Sequence, residues 1–249
     1  MKKTVLVTGA TGFTGTHLCR RLHEAGYQVR ALARPMSNTE SLKNLGVDIV
    51  PGDVTDMATL PDAVKGCHTV FHLAALYRQE GVPKKEFWNV HVTGTQNVLE
   101  ASMAGGVDRV VHCSTVGVQG AIANPPAKET DPYNPGDEYQ RTKMEGEKLA
   151  LQFFNQHQFP GVVVRPVGIY GPGDMRFLKL FKHIQNRKFM MFGNGEVLYH
   201  LTHVDDLAAG IILSGEKERA LGQVYTIAGN EYVTLNQLVS QIAECLQVP

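Results

Sequence analysis

Apolar positions in this chain follow two alternating rhythms. Short continuous runs rich in Val, Ile and Leu predict buried strands at 4–8, 28–33, 47–51, 69–73, 108–113 and 161–165. Between them, apolar residues recur at helical spacing, which predicts helices near 13–25, 39–44, 57–65, 84–105 and 137–157. Strands that alternate with helices are buried on both faces. The pattern therefore predicts an α/β fold with a parallel sheet covered on both sides. Right-handed crossovers gather the carboxyl ends of the strands along one edge, where ligands bind.

The rhythm changes after residue 166. Residues 175–187 look helical. The apolar run Phe189-Met190-Met191-Phe192, the turn Gly193-Asn194-Gly195 and the run from Val197 to Thr202 predict two strands joined by a turn. A helix near 204–214, a strand near 223–227 and a final helix follow. In the last helix Thr234 is the expected N-cap, and Leu235, Leu238, Val239, Ile242 and Leu246 share a face. No internal repeat or low-complexity segment interrupts the chain.

Composition narrows the classes. The 249 residues, 43% of them hydrophobic, suffice for one large α/β domain or a domain with a small appendage. Lys and Arg together number 24, as do Asp and Glu, so nothing points to nucleic acid or to an anionic membrane surface. No apolar run approaches membrane-spanning length, and the first residues lead straight into a strand rather than a signal peptide. Cys19, Cys67, Cys113 and Cys245 are scattered without metal-type spacing. Reduced thiols in a cytoplasm, and no metal, are the simplest account.

Against that background Thr8-Gly9-Ala10-Thr11-Gly12-Phe13-Thr14-Gly15 stands out. It joins the first apolar run to the first helical pattern. Gly9, Gly12 and Gly15 let the backbone turn tightly and approach a pyrophosphate, and Thr11 and Phe13 lie in the same turn. The amides of the helix start point at the negative charge. Strand, turn and helix in this order predict a Rossmann-type doubly wound parallel sheet, with a dinucleotide-binding domain at 1–165. Residues 166–249, where the rhythm changes, then form a smaller portion interleaved with the last sheet elements.

The end of the second strand bears on which nicotinamide cofactor fits. NAD sites carry an acidic residue about 20 residues beyond the glycines. Here the segment reads Ala31-Leu32-Ala33-Arg34-Pro35, with a guanidinium and no carboxylate. Arg34 suits the 2′-phosphate of NADP, with NAD as the alternative and a solvated strand-end arginine as the plainer reading. In Gly52-Asp53-Val54, Asp53 either accepts from the adenine amino group or caps the helix that starts near Asp56. In Phe71-His72-Leu73-Ala74-Ala75, small residues let Leu73, Ala74 and Ala75 pass close to a cofactor. His72 reads equally as a satisfied core histidine.

Tyr139 and Lys143 are four apart on a helix and share a face. An unperturbed tyrosine titrates near pH ~10, and a neighbouring ammonium favours the phenolate. Such a tyrosine takes a proton from an alcohol as hydride leaves the carbon, or gives one to a ketone in reverse. A surface helix pair is the plainer reading. The pair gains weight from Ser114-Thr115 at the end of the preceding strand, where a hydroxyl orients a substrate oxygen.

These motifs resemble those of the extended short-chain dehydrogenases/reductases, the NAD-dependent epimerase/dehydratase group. The resemblance spans essentially the whole chain. It rests on Thr8–Gly15, Asp53, His72–Ala75, Ser114-Thr115, Tyr139–Lys143, Arg165-Pro166, Tyr170–Gly173 and His203–Asp206. It implies that Thr115, Tyr139 and Lys143 form a Ser/Thr-Tyr-Lys triad, Thr115 being the second hydroxyl of its pair. It implies that Lys143 also bonds the nicotinamide ribose, and that backbone from Pro166 to Ile169 holds the carboxamide. A homodimer through the 84–105 and 137–157 helices is the family's usual assembly. The family's substrate portion normally runs further, so 166–249 supplies only part of it.

Departures from the family pattern shape the functional expectation. His91 stands where Asn is usual, in His91-Val92-Thr93-Gly94-Thr95, and is expected to replace an amide hydrogen bond. Thr115 is followed by Val116-Gly117 rather than the Asp-Glu pair of sugar dehydratases, which argues against elimination chemistry. Tyr199-His200-Leu201-Thr202-His203 lacks the arginine that clamps a sugar diphosphate. The loop from Asn124 to Gly136 is either a lid or an inert solvated loop. The leading expectation is an NADP-preferring reductase for a secondary alcohol or ketone, like the dihydroflavonol-reductase-like branch. A nucleotide-sugar epimerase with firmly held NAD is the runner-up, and a dinucleotide sensor without turnover is the third.

Overall fold

The computed structural model describes residues 2–78 and 81–248. Its first strand, β1 (Thr4–Thr8), runs into the glycine turn and then α1 (Phe13–Glu24). β2 (Gln28–Ala33), α2 (Glu40–Asn44), β3 (Asp48–Pro51), α3 (Leu60–Val64) and β4 (Thr69–His72) follow. Next come α4 (Lys84–Trp88), α5 (Gly94–Ala104), β5 (Arg109–Cys113), α6 (Glu138–Gln156) and β6 (Gly161–Pro166). The rest comprises β7 (Gly168–Tyr170), α7 (Leu178–Gln185), β8 (Leu198–His203), α8 (Val204–Glu216), β9 (Val224–Ile227), β10 (Tyr232–Thr234) and α9 (Leu235–Cys245).

Seven strands form a parallel sheet in the order β3-β2-β1-β4-β5-β6-β9. The order reverses between β1 and β4, which opens a crevice at the strands' carboxyl ends. Alternate side chains of each strand point to opposite faces, and each face carries its own core. Val5, Val7, Phe71, Val111, Val162 and Val164 pack under Leu18 and Leu22 of α1 and Leu207 and Ile211 of α8. Leu6, Val70, Val110 and Val163 pack under Leu60 of α3, Leu99 of α5 and Phe154 of α6. This is the doubly wound α/β arrangement that the alternation of elements predicts.

The expected hairpin of Phe189–Phe192 with Val197–Thr202 does not form. β8 pairs instead with β7 in parallel and with β10 in antiparallel, so both of its edges are taken. Met190 and Phe192 are largely exposed. The expected helix at 57–65 divides into a 3₁₀ turn at Met57–Thr59 and the short α3, with Pro61 in its first turn. The expected helix at 84–105 is interrupted by a π turn, Asn89–Thr93. Thr234 caps α9 as expected, in a reciprocal capping box with Gln237.

Candidate active site

A cleft of about 820 Å³ lies over the carboxyl ends of β1, β4 and β5. It brings together every candidate residue of the sequence: Gly9, Thr11, Gly12, Phe13 and Gly15; Arg34, Asp53 and Val54; Leu73, Ala74 and Ala75; Thr115, Tyr139 and Lys143; Pro166 and Ile169. Gly9 has φ +70°, and a Cβ there would lie 2.7 Å from the Ala74 amide nitrogen. A Cβ on Gly15 would lie 2.1 Å from the Gly9 carbonyl oxygen. Only glycine permits this approach of α1 to β1 and β4. The first amides of α1 have no intrahelical acceptor, and Gly12 caps the helix without a side-chain bond. The cradle fits a dinucleotide pyrophosphate on its own geometry.

At one end, Arg34 is exposed and lines both this cleft and an adjoining hollow formed with Ser37, Asp53, Asp56 and Thr59. Asp53 does not cap the following turn. Asp56 does, accepting from the Ala58 amide, while Asp53 Oδ1 accepts from the amide and hydroxyl of Thr55 at 2.9 and 2.8 Å. Val54 is buried, and a Cβ on Gly94 would lie 2.8 Å from its side chain, so it supports the wall from behind.

At the other end stand the three triad candidates. Thr115 follows β5, and its hydroxyl accepts from the Gly117 amide at 3.1 Å, capping a 3₁₀ turn. Lys143 is buried and donates to the Cys113 carbonyl at 2.6 Å. Burial lowers the pKa of its ammonium. The Tyr139 phenol is pushed up rather than down. Burial is the main cause, with Cys113 and Tyr77 adding to it and Arg78 and Arg176 opposing it. The cations that favour its phenolate are thus arginines, where the sequence pointed to Lys143.

Sequence reasoning passed over both arginines. The Arg78 guanidinium lies 5.2 Å from the Tyr139 ring centre and 5.7 Å from that of Tyr77. Arg176 lies 5.7 Å from Tyr77 and 5.2 Å from Phe13. Phe13, Arg176, Tyr77, Arg78 and Tyr139 therefore form an alternating ladder from the glycine turn to the phenol. Asp137, the N-cap of α6, accepts from the Gln140 amide with one oxygen and from Arg78 with the other at 2.6 Å. An acidic residue three before Gln140 was the available signal for that cap. Nothing local signals that Arg78 reaches the phenol, because Asp137 and Tyr139 come from a different element.

The buried histidines also act through distant partners. His72 lies between the hydroxyls of Thr8 and Thr95, at 2.8 and 3.1 Å, so it is a satisfied core histidine. His91 sits in the π turn, takes the Leu76 amide, bonds Thr142 and stands edge-on to Tyr139, ring centres 5.5 Å apart. Burial takes both imidazoles down to about 3, with the Lys143 charge acting in the same direction.

Other motif residues hold the frame. Arg165 and Glu147 form a buried ion pair, which also takes the Tyr133 hydroxyl at 2.8 Å. Arg165 donates to the Glu129 carbonyl, and the Glu129 carboxylate accepts from the Thr226 amide at 2.8 Å. Through Glu129 the 124–136 loop is thus tied to β6 and β9. Asp205 accepts from Arg20 at 2.6 Å and His17 at 3.1 Å, joining α8 to α1. His203 caps α8, and His200 bonds the Gly229 carbonyl at 2.7 Å.

A glycine cradle at the switch point, with half-buried Tyr139 and buried Lys143 in the same cleft, defines a dinucleotide-dependent enzyme of the short-chain dehydrogenase type. Residues 5–228 match the model of the NAD dependent epimerase/dehydratase family, and the chain belongs to that family. It is 32% identical over 244 residues to 4-hydroxy-2-methyl-3-oxo-4-farnesyl-3,4-dihydroquinoline-1-oxide ketoreductase of Stigmatella aurantiaca, covering 96% of this chain and 72% of that one. It is 29% identical to N-acetyl-alpha-D-glucosaminyl-diphospho-ditrans,octacis-undecaprenol 4-epimerase of Escherichia coli O157:H7, covering 99% and 73%. Among solved structures, UDP-N-acetylglucosamine 4-epimerase from Methanobrevibacter ruminantium M1 superposes with a TM-score of 0.88 at 26% identity, covering 99% of this chain and 83% of that one. Among the described residues, no helix is long and apolar enough to cross a membrane.

Proposed function

We propose that the protein is an NADP-preferring reductase acting on a ketone or secondary alcohol of a small substrate. The observation that carries this reading is the single cleft with Arg34 at one end and Thr115, Tyr139 and Lys143 at the other. Gly9, Gly12 and Gly15 would hold the pyrophosphate, with Thr11 and Phe13 beside it. Arg34 would take the 2′-phosphate, and Asp53 and Val54 the adenine. Leu73, Ala74 and Ala75 would line the middle, and backbone at Pro166 and Ile169 would receive the carboxamide. When bound, the nicotinamide supplies or accepts the hydride. Thr115 orients the substrate oxygen. Tyr139 moves the proton to or from that oxygen. Lys143 anchors the ribose from its seat on the Cys113 carbonyl.

In this reading residues 1–165 serve the cofactor, and 166–249 serve the substrate apart from the carboxamide contacts at Pro166 and Ile169. A homodimer through the 84–105 helical stretch and α6 and a cytoplasmic location belong to the same proposal. An epimerase with firmly held NAD is the second reading. It is favoured by the likeness to the two 4-epimerases. An epimerase would return the hydride to the opposite face of a transient ketone.

The test is titration with NADPH and NADH, followed by a ketone screen read as NADPH oxidation. Arg34→Ala is expected to weaken NADPH binding about tenfold or more, the size of a charge-assisted contact, and to leave NADH nearly unchanged. Tyr139→Phe is expected to abolish turnover and keep cofactor binding. Equal losses for both cofactors would remove the 2′-phosphate role. Purification with non-dissociating NAD would favour the epimerase.

A further inference from the structure

The Leu76 amide can only donate, and its acceptor is His91 Nε2 at 3.0 Å. Nε2 is therefore bare, and a neutral ring carries its proton on Nδ1. Nδ1 lies 2.8 Å from Thr142 Oγ1. The Thr142 hydroxyl donates to the Glu138 carbonyl at 2.9 Å, which leaves its lone pairs to receive the His91 proton. His72 has the opposite arrangement. Thr95 donates to the His91 carbonyl at 2.6 Å, so it accepts from His72 Nε2. Thr8 takes the Ala74 amide at 3.3 Å and donates to His72 Nδ1.

Two hydrogen-bond chains thus leave the cleft-lining loop after β4. One runs from Ala74 through Thr8, His72 and Thr95 to the backbone at His91. The other runs from Leu76 through His91 and Thr142 to the backbone of α6, within one turn of Tyr139. Every donor in them has an acceptor, as a buried polar network requires. The π turn brings His91 into this position. Gly146 lets α6 approach it, since a Cβ there would lie 2.2 Å from the His91 carbonyl oxygen. A carboxamide at position 91 offers the same donor and acceptor but lacks the ring that stands against Tyr139.

We propose that His91 is a positioning residue for the active site. Locked as its Nδ1-protonated tautomer between the Leu76 amide and the Thr142 hydroxyl, it fixes the cleft-lining loop against α6 at Tyr139. The tether stands on hydrogen-bond geometry, and only its consequence for proton transfer rests on the acid/base reading of Tyr139.

The test uses the full chain labelled with ¹⁵N-histidine, with His91→Asn to assign the His91 signals. The expected spectrum shows a protonated Nδ1 and a bare Nε2, unchanged across about pH 5 to 8, where an ordinary histidine titrates. Thr142→Val keeps the side-chain shape and removes the acceptor. It is expected to perturb the His91 signature, speed exchange of the Leu76 amide about tenfold, and weaken NADPH binding by a similar factor, the size of one hydrogen bond. Thr142→Ser is expected to restore all three. A protonated Nε2 on His91, or Thr142→Val with wild-type exchange and NADPH affinity, would overturn the proposal. These readouts need no turnover, so a failed ketone screen sinks the reductase reading and leaves them to decide the tether.

Discussion

The Lys143 ammonium lies 2.6 Å from the Cys113 carbonyl oxygen, a charge-assisted bond that pins α6 to the end of β5. The same bond holds Lys143 in the cleft that Tyr139 and Thr115 also line. Burial of the ammonium costs stability that one carbonyl only partly offsets. Lys143→Met is therefore expected to cut kcat about a hundredfold or more while the melting temperature holds or rises. Steady-state kinetics with calorimetry on the same sample check both halves. Retained turnover with a lower melting temperature would make Lys143 structural.

Arg78 is expected to set the alkaline behaviour of Tyr139. The groups facing the phenol are Lys143 on its own helix, Cys113 from β5, Tyr77 and Arg78 from the loop after β4, neutral His91 from the π turn, and Arg176 from the segment before α7. A cation favours the phenolate, so removing one moves the titration to higher pH. In alcohol oxidation, which needs the phenolate, Arg78→Gln is expected to move the rising limb of the pH–rate profile to higher pH. Arg78→Lys should fall between the two. An unmoved limb would leave Arg78 as a surface partner of Asp137 alone.

Glu147 sits with Arg165 out of contact with water. Its loss would leave a buried guanidinium without its counter-charge and free the Tyr133 hydroxyl. Glu147→Ala is expected to destabilise the fold by about 3–5 kcal/mol, read as a lower urea midpoint. Replacing both partners together, as Glu147→Met with Arg165→Met, should be far less damaging than the single change. A double variant as unstable as the single one would point to the loop contacts of Arg165 instead.

Stability is expected to fall on the acid side. His72 and His91 are neutral in the fold, burial having lowered them from 6.5 to about 3, and burial lowers His112 as well. Below the unfolded value of 6.5 the unfolded chain binds protons that the folded chain refuses, so stability rises with pH across the window from about 3 to 6.5. Each histidine adds a slope of up to about 1.4 kcal/mol per pH unit. Denaturant midpoints measured against pH should show this slope, shallower in His91→Asn. Equal slopes in both proteins would remove His91 from the linkage.

Most of the frame was legible because its determinants are local. The strand period, the glycines of the first turn, the helical spacing of Tyr139 and Lys143 and the cap at Thr234 each involve residues a few positions apart. The run at 189–192 misled because an apolar run marks a strand only if a neighbouring strand has a free edge, and β7 and β10 occupy both edges of β8. The alternative reading of Asp53 as a cap fails for a similar reason, since the choice between two nearby carboxylates is made by the path of the turn.

By itself the sequence determined the sheet, the glycine turn and the residues gathered at the strands' carboxyl ends, because periodicity and glycine sterics act along the chain. Only the tertiary structure decided what surrounds them. It put the Arg78 cation on the Tyr139 ring, turned Lys143 to the Cys113 carbonyl, and chose the tautomers of His72 and His91. Those outcomes depend on partners from β1, the loop after β4, α5, β5 and α6. A buried donor or acceptor takes whatever partner the packing brings within reach, and no spacing along the chain records that partner.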